Sequence, residues 1–157
     1  MWVTAYVAAI VGVNWMFLAL PAVATPFGDI YYANFVVGAI FVLRDYAQRQ
    51  ISHYILLATL LAGILTYRMV DPTIAVASLT AFFLSESVDW AIFSFTRRPL
   101  QERILLSSSL AAPVDTLAFQ YLAGYLSPAA FSLEVASKLI GVLALWWLVG
   151  PRRTHPA

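Results

Sequence analysis

The chain has 157 residues, of which 62% are hydrophobic and 11% charged, with a formal net charge of +1. Soluble domains carry about 25% charged residues, so this composition indicates a membrane protein, and the small net charge gives no support for nucleic-acid binding. Cysteine is absent, which excludes disulfides, thiolate metal sites and a cysteine nucleophile. With no long polar segment, residues 1–157 are predicted to form one integral membrane domain.

Six apolar stretches approach the length of about 20 residues that a bilayer crossing requires. In chain order, the predicted spans cover residues 2–20, 30–43, 51–69, 73–95, 104–126 and 131–149. The second continues as a polar helix to Gln50, and Pro113 lies inside the fifth. The first lacks a basic leader and a small-residue cleavage site, so it is interpreted as a retained span rather than a signal peptide. The sequence therefore predicts an all-α, polytopic bundle of six transmembrane helices.

The arginines are distributed unevenly between the two ends of this predicted bundle. Both chain termini share one end with Arg44, Arg49, Arg97, Arg98, Arg103, Arg152 and Arg153. The loops at the opposite end hold Arg68 alone. The positive-inside rule therefore predicts that both termini of this multi-pass protein lie in the cytoplasm.

Four ionisable side chains, Glu86, Asp89, Asp115 and Lys138, fall inside the predicted spans. A charge at mid-bilayer costs at least ~2.5–3.5 kcal/mol, so such residues usually face a protein interior or a polar cavity. Counted at helical rise, Glu86 and Asp115 lie roughly 16–18 Å into the membrane. The same count places Asn14 and Lys138 at roughly 20–21 Å. A shared depth near the bilayer midplane is typical of transporter substrate sites.

Carboxylates and aromatic rings share helix faces in the fourth and fifth spans. Glu86 and Asp89 are three residues apart, with Phe82 on the same stripe, and Asp115 and Phe119 form a comparable stripe. Carboxylates accept hydrogen bonds from N–H groups while rings stack on a flat ligand, so these faces predict a wall for a planar heterocycle. The candidate substrate-binding residues are Asn14, Phe82, Glu86, Asp89, Asp115 and Phe119.

The polar end of the second span contains Arg44, Asp45 and Gln48. An arginine that snorkels to the cytoplasmic boundary is the simple explanation of Arg44, but it explains Asp45 less well. An Arg-Asp step at a helix mouth also predicts a gate that closes on a carboxylate from another span. Arg44, Asp45 and Gln48 are therefore the candidate gate residues.

A purely structural role remains an alternative for each of these groups. The carboxylates of the fourth span would then pair with an arginine or with Lys138 to hold the bundle together. Asp115 in its protonated form, and Asn14, would be interhelical hydrogen-bonding groups. Glu134 precedes Lys138 by four residues, a spacing at which the two charges neutralise each other.

Four short blocks, taken in order, resemble the VUT family, the vitamin-uptake or queuosine-precursor transporters of bacteria. The blocks are Val13-Asn14-Trp15, residues 41–48, residues 85–89 and residues 114–119. The resemblance extends from the first span to the end of the fifth. Its most specific parts are the Leu43-Arg44-Asp45 step and the Ser85-Glu86 block with the basic residues that follow it.

The resemblance implies a six-span importer of a queuosine precursor in the bacterial inner membrane. The ligand would be 7-cyano-7-deazaguanine or its aminomethyl relative, carried by secondary transport without a cofactor, a metal or catalytic residues. Asn14, Arg44-Asp45, Glu86, Asp89 and Asp115 fall on polar positions of the family. Ser108 departs from it, because an asparagine is common near that point. The expected partners are this deazapurine and the lipid bilayer, with a homo-oligomer left open.

Two other functions match part of the pattern. The first is the substrate-binding membrane subunit of an ATP-driven vitamin or nucleobase importer, which would need a partner ATPase because the chain has no GxxxxGK[ST] loop. The second is an intramembrane aspartyl protease that uses Asp89 and Asp115, since paired carboxylates activate water. Neither aspartate has a Gly-x-Gly-Asp context, and their predicted depths differ by about 6 Å. The sequence therefore favours a transporter over an enzyme.

Overall fold

The computed structural model describes residues 1–67 and 72–149, and these residues form an all-α structure. The helices are α1 (Trp2–Ala19), α2 (Tyr32–Ile51), α3 (Ile55–Tyr67), α4 (Pro72–Phe95), α5 (Leu100–Ala123) and α6 (Pro128–Val149). A 3-10 turn, Ser52–Tyr54, separates α2 from α3. The all-α prediction is confirmed. The polar continuation of the second span is also part of the same helix, because α2 runs without a break to Ile51.

A short hairpin that the sequence analysis missed connects α1 to α2. Strands β1 (Val23–Thr25) and β2 (Gly28–Ile30) pair antiparallel, with Val23 opposite Ile30 and Thr25 opposite Gly28. Gly28 has a φ of +132°, a conformation that L side chains rarely adopt, so glycine suits this position. The hairpin packs against α6 and marks one end of the bundle, which is called the hairpin end below.

Four stretches are long and apolar enough to cross a membrane: α1, the α2–α3 region Tyr32–Tyr67, Ile74–Phe95 of α4, and α6. The predicted count of six is not reached by these criteria. Helix α5 carries Glu102, Arg103 and Asp115, which reduce its apolar character, and α3 has only 13 residues. The structure therefore fits a membrane protein with four stretches of spanning character among the described residues.

Helix α2 lies at the centre of the bundle and contacts the other five helices. Lipid tails are as apolar as side chains, so membrane helices associate through close packing, often at small residues. Helices α2 and α6 approach through reciprocal glycines: a Cβ at Gly38 would overlap the carbonyl of Lys138, and one at Gly141 would overlap the carbonyl of Phe35. This close crossing positions Lys138 beside the middle of α2.

Polar contacts fix the opposite end of the bundle, called the arginine end. The indole of Trp2 stacks on Tyr46 at 4.8 Å, and Gln101 donates a hydrogen bond of 3.2 Å to the Tyr46 hydroxyl. The indole N–H of Trp146 donates to the Gln101 carbonyl at 3.0 Å. This end also contains the arginines Arg49, Arg97, Arg98 and Arg103. Arg68, Arg152, Arg153 and His155 lie outside the described residues.

Candidate functional site

A cavity of about 630 Å³ lies among the helices at the hairpin end. All six helices and the hairpin contribute to its lining. Its rim includes the exposed side chains of Leu18 and Ile74, whereas its inner end is formed by the buried residues Ile10 and Ile40. Small-molecule sites have volumes of about 300–1,000 Å³, so this cavity has the size of a small-molecule site.

The inner part of the cavity contains Asp115, Glu134 and Lys138, called the cavity floor below. All three side chains are buried. Lys138 Nζ lies 2.8 Å from Asp115 Oδ2 and 3.9 Å from Glu134 Oε2, and it also donates to Thr116 Oγ1 at 2.9 Å. The predicted Glu134–Lys138 contact is thus present, but the shorter ion pair crosses from α6 to α5. With all three groups ionised, the floor carries one formal negative charge.

Aromatic rings form part of the rest of the lining. Phe82 comes from α4, and Phe119 of α5 packs edge-to-face against Tyr125 at 5.9 Å between centroids. Tyr125, in the connection between α5 and α6, donates a hydrogen bond of 3.1 Å to Glu134. Burial raises the pKa of Tyr125 above its ordinary value, and the Glu134 carboxylate raises it further. Tyr125 therefore stays a neutral donor at physiological pH.

Four of the six predicted substrate-binding residues line this cavity: Asn14, Phe82, Asp115 and Phe119. Asp115 accepts a hydrogen bond of 3.2 Å from Ser85 in addition to its ion pair, so its carboxylate is held between α4 and α6. The Asn14 amide donates to the Ile10 carbonyl of its own helix at 2.8 Å. This contact lies within α1, so it does not support the interhelical role considered for Asn14.

Glu86 and Asp89 do not line the cavity. They surround Arg44 together with Asp45, and these four residues are called the Arg44 cluster below. The ion-pair distances are 2.9 Å from Arg44 Nη1 to Asp45 Oδ1, 3.1 Å from Nε to Glu86 Oε2, and 3.4 Å from Nη1 to Asp89 Oδ2. The Nε contact lacks hydrogen-bond alignment, so it is an ion pair only. The sequence alternative in which these carboxylates pair with an arginine matches this arrangement.

Arg44 is fully buried, which excludes the snorkelling interpretation of this residue. It follows Ile40 by four residues on α2, so the Arg44 cluster lies one helical turn beyond the inner end of the cavity. Gln48 is one further turn along, where its amide donates to Ser94 at 2.9 Å. The three candidate gate residues therefore lie between the cavity and the arginine end.

Hydrogen bonds extend the Arg44 cluster to five helices. The Tyr6 hydroxyl of α1 donates to Glu86 at 2.9 Å and lies 2.6 Å from Thr59 of α3. Ser107 of α5 donates to Asp45 at 2.8 Å. These side chains are all buried, where hydrogen bonds are electrostatically stronger than in water, so the network links α1 to α5 one helical turn beyond the cavity.

Tyr6 and Asn34 are among the residues of this region that the sequence analysis did not identify. Tyr6 shares a helix face with Asn14, two turns away, so its alignment with a polar side chain was a readable signal. Asn34 is buried on α2 and lines the cavity, one turn before the glycine that contacts α6. Its signal was weaker, because a lone asparagine near a helix start is often a cap.

Comparison with protein-family models, curated proteins and solved structures gives no match. Within residues 1–67 and 72–149, no group of three or more His, Cys, Asp and Glu side chains has the geometry to hold a metal ion. His53 accepts a hydrogen bond of 3.0 Å from the Trp90 indole near the arginine end. Inside the bundle, the cavity floor and the Arg44 cluster are two separate groups of buried charged side chains.

Proposed function

We propose that this chain is a membrane transporter that imports a planar nitrogen heterocycle, specifically a 7-deazaguanine queuosine precursor. The observation that supports this most is the cavity, which combines aromatic walls with the buried Asp115–Lys138 pair at its inner end. Charged side chains inside a membrane are costly and usually functional, so a buried, charged cavity of this size is not expected in a passive anchor. The proposal also draws on the resemblance to the VUT family.

The chemistry of a deazaguanine is complementary to the cavity. Its ring N–H and exocyclic amine are donors that the Asp115 carboxylate can accept, and its carbonyl can accept from Lys138. Its flat bicycle can stack on Phe82 or Phe119. The surplus carboxylate of the cavity floor adds a preference for a ligand with a positive charge, which favours the aminomethyl compound over the nitrile.

The direction of opening supports uptake. The six helices alternate between the two ends, and we take each as one crossing of the bacterial inner membrane, with the short α3 and the polar α5 shielded by their neighbours. The positive-inside rule places the arginine end, and with it both termini, in the cytoplasm. The cavity then faces the outside, and the Arg44 cluster separates it from the cytoplasm.

Transport by alternating access requires that this barrier open while the hairpin end closes. The Arg44 cluster is the barrier in the proposed scheme, because its ion pairs link α2 to α4 directly below the cavity. Release of Arg44 from Glu86 and Asp89 would let these helices separate at the arginine end. Arg44, Asp45 and Gln48 thus act as the gate.

Uptake of labelled 7-deazaguanines into bacteria that lack their own precursor synthesis tests this function. Cells that express the chain alone should accumulate the aminomethyl compound faster than the cyano compound, and a protonophore should abolish accumulation. Cells with an empty vector, and cells with Asp115→Asn at equal membrane abundance, are the controls. Accumulation no faster than in the empty-vector cells contradicts the proposal. Uptake that requires a co-expressed ATPase contradicts the secondary mechanism but leaves the proposed transport of the ligand standing.

A further inference from the structure

The Arg44 cluster contains three carboxyl groups and one guanidinium. All four side chains have no exposed surface. If every group were ionised, the cluster would hold two formal negative charges with no surface exposed to solvent. A buried carboxyl group in this position takes up a proton rather than remain charged and uncompensated.

The three carboxyl groups differ in the number of hydrogen bonds that they accept. Both oxygens of Asp45 accept a hydrogen bond, one from Arg44 and one from Ser107. Glu86 Oε2 accepts from Tyr6, but Oε1 has no partner. Within the described residues, neither oxygen of Asp89 receives a hydrogen bond. Asp89 therefore has no hydrogen-bond donor among the described residues to stabilise it as a buried anion, and Glu86 has one donor for two oxygens.

The neighbouring elements supply no further positive charge to the cluster. Helix α1 contributes Tyr6, α3 contributes Thr59 and α5 contributes Ser107, which are all neutral hydroxyl groups. Arg103 of α5 stacks over Phe93 at 4.4 Å and donates to a main-chain carbonyl. The remaining buried cation, Lys138 of α6, is held by the cavity floor. The described residues thus leave Arg44 as the one cation that pairs with these three carboxyl groups.

We propose that the Arg44 cluster is a proton-binding site that holds at least one proton, shared mainly by Glu86 and Asp89, and that this proton drives uptake. The driving role rests on the proposed transport function, whereas the binding of the proton does not. When the gate opens, water reaches the cluster, and a carboxylic acid releases its proton to water on the cytoplasmic side. The resulting carboxylate pairs with Arg44 and closes the gate, and a proton from outside restores the acid before the next cycle.

Infrared spectroscopy of the purified full-length protein in lipid tests proton binding directly. A protonated carboxyl group has a C=O stretch, distinct from that of a carboxylate, which shifts on exchange into D2O. Wild-type protein at neutral pH should show this band. Asp89→Asn and Glu86→Gln should each reduce it, and Glu102→Gln, at an exposed carboxylate, should leave it unchanged. Absence of the band in folded wild-type protein would overturn the proposal. This outcome can be measured on the wild-type protein, without any variant.

Two transport measurements test the driving role in proteoliposomes. Exchange of labelled for unlabelled 7-aminomethyl-7-deazaguanine needs no net proton movement, whereas uphill accumulation under an imposed proton gradient does. Asp89→Asn should slow exchange, because Asp89 belongs to the barrier, but it should reduce accumulation by a much larger factor. Equal loss of both would refute coupling by this site. If wild-type protein shows the infrared band but no exchange at all, proton binding stands and the proposed transport function fails.

Discussion

Two conservative substitutions, Asp115→Asn and Glu86→Gln, should separate ligand binding from gating. Each replaces one buried carboxyl group by an amide of nearly the same shape. Asp115 lines the cavity, whereas Glu86 lies in the Arg44 cluster beyond its inner end. The first substitution should therefore weaken ligand binding, and the second should slow transport with little change in affinity.

The structure sets the size of the first effect. A hydrogen bond to a charged group contributes about 1.5–3 kcal/mol, and Asp115→Asn replaces the charged acceptor by a neutral amide oxygen. Since 1.4 kcal/mol corresponds to a factor of ten, Kd should rise about ten- to a hundred-fold. Folding should be affected less, because Lys138 retains Thr116 and Glu134 as partners and Ser85 still finds an acceptor.

Equilibrium binding of labelled 7-aminomethyl-7-deazaguanine to purified protein, together with initial uptake rates in proteoliposomes, measures the two effects. Thermal unfolding of each variant, and binding to the exposed-site variant Glu102→Gln, are the controls. A loss of affinity in Glu86→Gln as large as that in Asp115→Asn would refute the separation of cavity from gate. Unchanged affinity in Asp115→Asn would remove the cavity floor from the binding site.

The remaining predictions concern the barrier and the helix packing. Gly38→Ala should destabilise the protein by about 1–3 kcal/mol, because a Cβ there overlaps the Lys138 carbonyl. Gly12→Ala is the control and should have little effect, because a Cβ there meets open space. Thermal unfolding in detergent compares the two variants. Arg44→Met should lower the free energy of unfolding by about 3–5 kcal/mol, because it leaves three buried carboxyl groups without their cation. Arg44→Lys keeps a positive charge and should lower it less. An equal loss of stability in the two variants would count against a charge-based role.

Hydropathy and helix-breaking residues predicted most of the fold. Helices α1, α4, α5 and α6 end within a few residues of their predicted bounds, because proline and glycine interrupt apolar runs there. The continuation of α2 beyond Leu43 was also predicted. The hairpin was not, because its three-residue strands are too short for a periodic pattern to appear.

The site was only partly predictable, since depth along a helix does not determine which neighbour a side chain faces. Counting residues placed Asp115 near mid-membrane, and the structure places it in the cavity. The same count gave Glu86 a similar depth, yet it faces Arg44 on the central helix, while the adjacent Ser85 reaches Asp115. For Arg44 the sequence offered both a boundary position and a contact with a carboxylate of another span; the structure has the second, and its full burial depends on packing that no single segment encodes.

Thiol labelling of Ser78→Cys tests most directly whether the cavity receives the ligand from the hairpin end. The chain has no cysteine of its own, and Ser78 lines the cavity on α4. A membrane-impermeant maleimide added outside intact cells should label this cysteine, and 7-aminomethyl-7-deazaguanine should protect it, whereas Ser107→Cys at the buried barrier should resist labelling. Labelling of Ser78→Cys from the cytoplasmic side alone, or at a rate that the ligand does not change, would contradict the account.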